Sequence, residues 1–176
     1  MQVFASTELV RAAHPADASL IYELYRNAPG YFEIISMPVP TEAEVERELE
    51  AASGDERRFT ELLFLPEDIV PARVPPGLSD GESGRTVAGY LDYKLDYPDT
   101  GEAMVNLLLI HEGLQNLGLG RVCVTDLEAR LQGQVKRLLA SIYGQNPRAE
   151  HFWTSLGYRF AIDAKPVMDW YAKDIV

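Results

Sequence analysis

Apolar residues recur at helical spacing in some stretches and run almost unbroken in others, and the alternation of the two sets the order of elements. A first strand is expected at Glu8–Ala12. His14, Pro15 and Asp17 then look like a helix start with proline at its first position, and Leu20, Ile21, Leu24 and Tyr25 supply an apolar stripe up to about Asn27. Pro29-Gly30 stops that helix. Tyr31–Met37 is apolar and aromatic without a clear period, which leaves it open between a loop and an irregular helical turn. Thr41 followed by Glu44 is a capping box for a short acidic helix that carries Val45 and Leu49 on one face and ends near Gly54. Arg58–Leu65 reads as a strand. The stretch Pro66–Gly84 holds four prolines and three glycines and reads as a surface loop.

Two further strands follow, Thr86–Tyr93 and Ala103–Ile110, joined through Asp96-Tyr97-Pro98-Asp99. The second is too apolar to have a wet face and is expected at the centre of a sheet. From Gly118, the residues Leu119, Val122, Cys123, Leu127 and Leu131 follow the 3.6 period, with Arg121, Asp126, Glu128 and Arg130 on the opposite side, so a helix should pack there on the sheet. Leu138–Tyr143 is another apolar strand. Asn146 is then an N-cap, Pro147 the first helical residue, Ala149, Phe152, Trp153 and Leu156 the stripe, and Gly157 the stop. Tyr158–Ile162 and Val167–Tyr171 close the chain as a hairpin around Lys165-Pro166.

Composition narrows the class of molecule. A chain of 176 residues, 47% hydrophobic and 24% charged, suits one globular domain over 1–176 and excludes wholesale disorder. The single cysteine, Cys123, lies between Val122 and Val124 and is expected as a small buried side chain, so neither an internal disulfide nor a cysteine metal cluster is expected. No metal site is expected at all. A net charge of -11 argues against nucleic acid and is compatible with a cationic substrate. No apolar run approaches the roughly 20 residues that span a bilayer, which makes a cytoplasmic chain without membrane contact the expectation.

Chemistry concentrates at Gln115, Asn116, Leu117, Gly118, Leu119 and Gly120, where the apolar strand Val105–Ile110 gives way to a helix. A buried strand that enters a helix through a turn with two glycines leaves backbone N–H groups unpaired and aimed outward, and the helix dipole adds positive potential. Such a place holds phosphate. The alternative is that Gly118 and Gly120 only make a tight connection. A dinucleotide-binding site would need a third glycine where Cys123 stands and an early strand-glycine-helix unit, and the chain has neither.

The element order and two motifs resemble the GNAT-type N-acetyltransferases. QNLGLG fits every fixed position of that family's acetyl-CoA pyrophosphate motif, and the series Asn146, Ala149, Phe152, Trp153, Gly157, Tyr158 is similar to its Asn-x-x-Ala segment. The resemblance implies an α/β (α+β) fold: a mixed, mostly antiparallel sheet of about seven strands flanked by four helices. It implies acetyl-CoA as co-substrate and a primary amine of a small molecule or peptide as acceptor, attacking directly in a ternary complex; a homodimer is compatible with it. The amides of Leu117–Arg121 would cradle the pyrophosphate with Gln115 and Asn116, Arg121 would add charge, and Leu108, Leu109 and Ile110 would pair their backbone with the pantetheine arm. Asn146 would hold its distal part, although it is equally a plain N-cap.

The proton-transfer half is harder to read. Where some relatives place a glutamate, this strand has Met104 and Asn106; Asn106 could hold a water but cannot be a base. His111, Glu112, Glu33 and Asp92 are the remaining candidates, none preferred. Where many relatives place an acidic tyrosine stands Trp153, expected as core packing or as a wall beside the CoA arm, and Tyr143 could substitute as proton donor. Gly30–Pro40 and Pro66–Gly84 are the expected walls of the acceptor site, with Tyr31, Phe32 and Glu33 suited to an amine with an apolar body. A non-catalytic acyl-CoA sensor or assembly module is the alternative, supported only by the missing base and acid.

Overall fold

The computed structural model describes residues 9–165 and 168–176. Its strands are β1 Val10–Ala12, β2 Arg58–Phe64, β3 Val87–Leu95, β4 Glu102–Ile110, β5 Arg137–Tyr143, β6 Arg159–Lys165 and β7 Met168–Asp174, in one sheet of order β1-β2-β3-β4-β5-β7-β6. Every pairing is antiparallel except β4 with β5. The turn between β6 and β7 expected at Lys165-Pro166 and the strand start at Val167 involve Pro166 and Val167, which lie outside the described residues, as does Glu8 of the first strand. The helices are α1 Ala18–Arg26, α2 Pro29–Ile34, α3 Glu42–Ser53, α4 Leu119–Leu131 and α5 Pro147–Ser155.

Local chemistry explains most boundaries. Asp17 reaches back to accept from the His14 N–H at 2.8 Å, closing a 3-10 turn, Pro15–Asp17, that leads into α1. Thr41 accepts from the Glu44 N–H at 3.3 Å while Glu44 accepts from the Thr41 N–H at 2.7 Å, the capping box the sequence implies for α3. Pro29 has two roles: it ends α1 by its missing donor and starts α2 at the first helical position. The segment left open between loop and helical turn is therefore a fifth, short helix. Gly144 lets it seat, since a Cβ there would come within 2.5 Å of the Ile34 carbonyl oxygen.

The two faces of the sheet follow from β2. Arg58 bonds Glu48 of α3 and Glu61 bonds Arg130 of α4; residues three apart on a strand point to opposite faces, so α3 and α4 lie on opposite sides. α1 joins α3, with Tyr25 edge-on to Tyr90 at 6.3 Å, and α5 lies beside α4, where Tyr158 donates to Glu128 at 3.0 Å. Leu62, Leu63, Leu91, Tyr93, Val105, Leu127 and Leu138 form the centre of the core.

Two expectations need correction and a third gains detail. Val122 is exposed and Val124 takes its place on the buried stripe of α4, because the helix presents the 119, 123, 124, 127, 131 face to the sheet. Arg130, expected on the solvent side, lies inward: its guanidinium makes two 2.9 Å bonds to the Glu61 carboxylate, a third of 2.8 Å to Asp126, and reaches the Tyr93 hydroxyl. Pro66–Gly84 is a surface loop, as expected, and it is pinned near its end. Leu78 is buried, Ser79 bridges to Thr86, and Asp80 accepts from Arg11 at 2.8 Å and from the Ser83 hydroxyl at 2.6 Å.

Candidate active site

The site exists because β4 and β5 part. Their parallel register runs only from Glu102↔Arg137 to Val105↔Ala140, after which each strand continues without the other. The parting coincides with a bulge. The β3–β4 register steps from Asp92↔Leu107 to Tyr93↔Val105, so Asn106 has no partner, and a bulge bends a strand and re-aims its side chain. The result is a cleft of about 670 Å³ floored by Val105–Ile110 and walled by α2, the Gln115–Gly120 turn, the end of β5 and α5.

Backbone groups dominate the inner wall. His111 N–H donates to the Ala88 carbonyl, and the two-residue alternation of an antiparallel ladder then turns the Leu109 and Leu107 groups to β3 and those of Leu108 and Ile110 into the cleft. Of the three residues expected to pair with a pantetheine arm, Leu108 offers its backbone and Ile110 its N–H, whereas the Leu109 backbone faces β3. Gln115 lines the cleft as well, and its Nε2 donates to the Ile110 carbonyl at 3.0 Å, fixing the exit of β4.

At the turn, Asn116 and Gly118 take positive φ, 63° and 79°, which points the amides at the start of α4 into the cleft. The N–H groups of Leu119, Gly120 and Arg121 have no intrahelical acceptor. Gly120 has a steric reason as well, since a Cβ there would come within 2.9 Å of the Phe152 ring, the contact that seats α4 against α5. Leu117 is exposed and its side chain does not line the cleft. Arg121 reaches the Ser155 hydroxyl at 3.5 Å, and Asn116 accepts from Arg148 at 3.4 Å, so both sides of the turn are tied to α5. Arg148 and His151, which the residue pattern did not single out, line the cleft with Arg121, while Glu112 is the one acid among the described lining residues. In a chain of charge -11 that local excess of cations suits phosphate.

Asn146 is an N-cap in fact, accepting from the Ala149 N–H at 3.0 Å, and also lines the cleft. Trp153 is buried edge-on between Phe152 and Tyr158 and shows one side to the cleft, a packing and wall position with no ionisable proton. Tyr143 ends β5 facing the cleft, 38% exposed, and its partial desolvation pushes the hydroxyl above the usual range, helped by Tyr97 and Asp92. Tyr31 lines the opposite side, its hydroxyl pushed up to about 12 by burial and then by Tyr143. Phe32 and Glu33 correct the expectation: Phe32 is buried edge-on against Tyr25 and Tyr31, and Glu33 is exposed; neither lines the cleft. No residue of Pro66–Gly84 lines it either; the loop is held through Asp80 by Arg11, and its Pro75 lies against Gly113 just outside the cleft.

The candidate bases separate the same way. His111 is buried outside the cleft, its Nδ1 accepting from the Gly113 N–H at 3.0 Å, and burial lowers its pKa. Asp92 is bound by Arg58 through bonds of 2.6 to 3.2 Å and accepts from Asn106 Nδ2 at 3.3 Å. Around it stand Tyr25 and Tyr90, whose hydroxyls are held well above their usual value first by burial and then by the Asp92 charge. Cys123 is buried, with its thiol pushed up to about 12 by desolvation, an inert position.

The family model described as acetyltransferase (GNAT) family matches residues 40–158. The chain belongs to the GNAT acetyltransferase family. The cleft and the QNLGLG turn lie almost wholly inside the matched segment. Among solved structures, an acetyltransferase from Thermus thermophilus is 36% identical with TM-score 0.80, covering 99% of each chain. Two distant structures share the GNAT fold and hold coenzyme A: the ribosomal L7/L12 alpha-N-protein acetyltransferase RimL, 14% identical, TM-score 0.72, covering 98% of this chain and 97% of that one, and the PaiA N-acetyltransferase of Thermoplasma acidophilum, 11% identical, TM-score 0.65, covering 94% and 97%. No curated protein matches the chain. Among the described residues no helix is long and apolar enough to cross a membrane.

Proposed function

We propose that this GNAT protein transfers an acetyl group from acetyl-CoA to a primary amine by direct attack in a ternary complex. The observation that carries the reading is the parting of β4 from β5 directly beside the amides of Leu119–Arg121: one cleft combines an open strand edge, a phosphate cradle and a tyrosine at its wall. The cleft fits the co-substrate. An extended pantetheine arm would add to the Leu108 and Ile110 edge as a short extra strand, and the amides with Arg121 and Arg148 would take the phosphates.

An alkylammonium with a pKa of about 10.4 must lose a proton before it attacks. The acceptor end is lined by tyrosines whose hydroxyls desolvation has already raised, and the same desolvation favours a neutral amine. Tyr143 donates a hydrogen bond to the departing thiolate rather than a whole proton: its hydroxyl sits above about 10 and a free thiol near about 8.5, so complete transfer would run uphill.

Calorimetry with acetyl-CoA, followed by thiol release over small amines, polyamines, aminoglycosides and peptide N-termini, tests the reading. Binding with turnover of at least one amine is the expected result. Binding without consumption under any of them would leave the acyl-CoA sensor, and no binding would remove the transferase.

A further inference from the structure

We propose that Asp92 is a positioning residue that fixes the Asn106 carboxamide with its carbonyl oxygen toward the cleft, creating an acceptor-only group that selects and orients an N–H donor of the incoming amine. The inference rests on the transferase reading and names a group that reading lacks. Asn106 is the extra residue of the β4 bulge at the point where β4 and β5 part, beside the place where an acetyl group on the arm would lie. A carboxamide can offer either end. Here the choice is made by its neighbour, since a carboxylate clamped by a guanidinium has only acceptors to give, and the Asn106 NH₂ must face it, as the 3.3 Å bond from Nδ2 to Asp92 Oδ1 has it.

The clamp is well built. Arg58 donates to both Asp92 oxygens at 3.2 Å through Nε and to Oδ2 at 2.6 Å through Nη2, and is itself held by Glu48 at 2.7 Å. Asp92 is 4% exposed. Asn106 Oδ1, in contrast, accepts no hydrogen bond among the described residues and is not a sealed atom, and Asn106 lines the cleft. An open carbonyl oxygen next to the acetyl position attracts an amine N–H and leaves the nitrogen lone pair free to face the thioester carbon. It repels an acceptor that presents a bare oxygen or a carboxylate at that point.

Two arms test this. In side-chain amide NMR of the whole protein, the Asn106 NH₂ pair, assigned by its loss in Asn106→Ala, should exchange slowly in the native protein and at least about tenfold faster in Asp92→Asn, the scale of one hydrogen bond to a charged group. Backbone spectra of Asp92→Asn, and Asp92→Glu should Asp92→Asn fail to fold, identify a folded reporter; unchanged exchange in that reporter overturns the proposal. In steady state, with the first amine of the panel that turns over, Asp92→Asn should raise the acceptor KM about tenfold more than it lowers kcat, and should do nothing further in an Asn106→Ala background. Additive effects of the two substitutions overturn it too. The acetyl-CoA titration separates the premises: if native protein bound no acetyl-CoA, the transferase reading would fall while the exchange result still decides whether Asp92 orients Asn106.

Discussion

Tyr143 tests the chemistry most directly at the scale of one residue. It ends β5, faces the cleft, and keeps its proton past its usual range because desolvation disfavours the phenolate. As a hydrogen-bond donor to a developing thiolate its removal in Tyr143→Phe is worth one charge-assisted bond, so kcat should fall by about ten- to a hundredfold while acetyl-CoA affinity stays within about twofold. Stopped-flow thiol release and calorimetry on the same variant separate the two quantities. The pH profile gives a second check. A raised pKa leaves the donor form in place from neutral pH upward, so no limb of kcat assignable to Tyr143 should appear below about pH 10; a limb near about 8 that vanished in Tyr143→Phe would belong to Tyr143 and overturn this reading, whereas one that persisted would mean another ionisation.

At the scale of elements, two ion-pair clusters hold parts of the chain that are distant in sequence. Arg11 of β1 binds Asp17 at the start of α1 and Asp80 of the long loop, and its hydrogen bond is the largest influence bringing Asp80 down to about 2. The folded value lies below the roughly 3.9 of an unfolded aspartate, so the unfolded chain binds more protons between the two. This stabilisation is complete above about pH 4 and fades toward pH 2. Asp80→Asn should therefore lower Tm at neutral pH, and the gap from native protein should narrow as acid is added; melting curves across pH read it. The second cluster, Arg130 with Glu61, Asp126 and Tyr93, is nearly dry. Glu61→Leu leaves a guanidinium short of its partner and should cost about 3–5 kcal/mol, whereas Glu61→Leu with Arg130→Leu should recover most of that in urea unfolding.

The same clusters show why some elements could be read from sequence and others not. The α3 capping box, the Asn146 cap and the stripe of α4 are local, and local chemistry sufficed for them. Arg130 was misplaced because a 3.6 period separates faces of a helix but cannot say whether a cation at the edge of the apolar face meets water or a carboxylate 69 positions earlier. Asp92 and Asn106 are 14 positions apart and meet only through a register shift that no side-chain pattern announces. The geometry of the Gln115–Gly120 turn was legible because two glycines mark where the backbone amides open at the start of α4. At the other end of the cleft Tyr31 and Tyr143 could be named from sequence, but not that Phe32 and Glu33 turn away from it.

For the whole molecule, charge makes the two co-substrates unequal. On the proposed reading, a chain at -11 would attract a cationic amine from a distance and repel an acyl-CoA anion, which Arg121, Arg148 and the start of α4 would then capture at short range. Salt shortens the reach of the first effect from about 30 Å at 0.01 M to about 3 Å at 1 M, while the amides touching a phosphate lose less. Raising ionic strength should thus lower kcat/KM for a dicationic acceptor more than for a monocationic one, and leave an acceptor without net charge nearly unmoved. The KM for acetyl-CoA should change little, since screening weakens the long-range repulsion and the short-range attraction together. Steady-state rates for a matched diamine and monoamine over that range decide it. A ratio of the two that stayed flat with salt would mean that the negative surface serves solubility and that recognition of the amine is confined to Asn106 and the tyrosines around it.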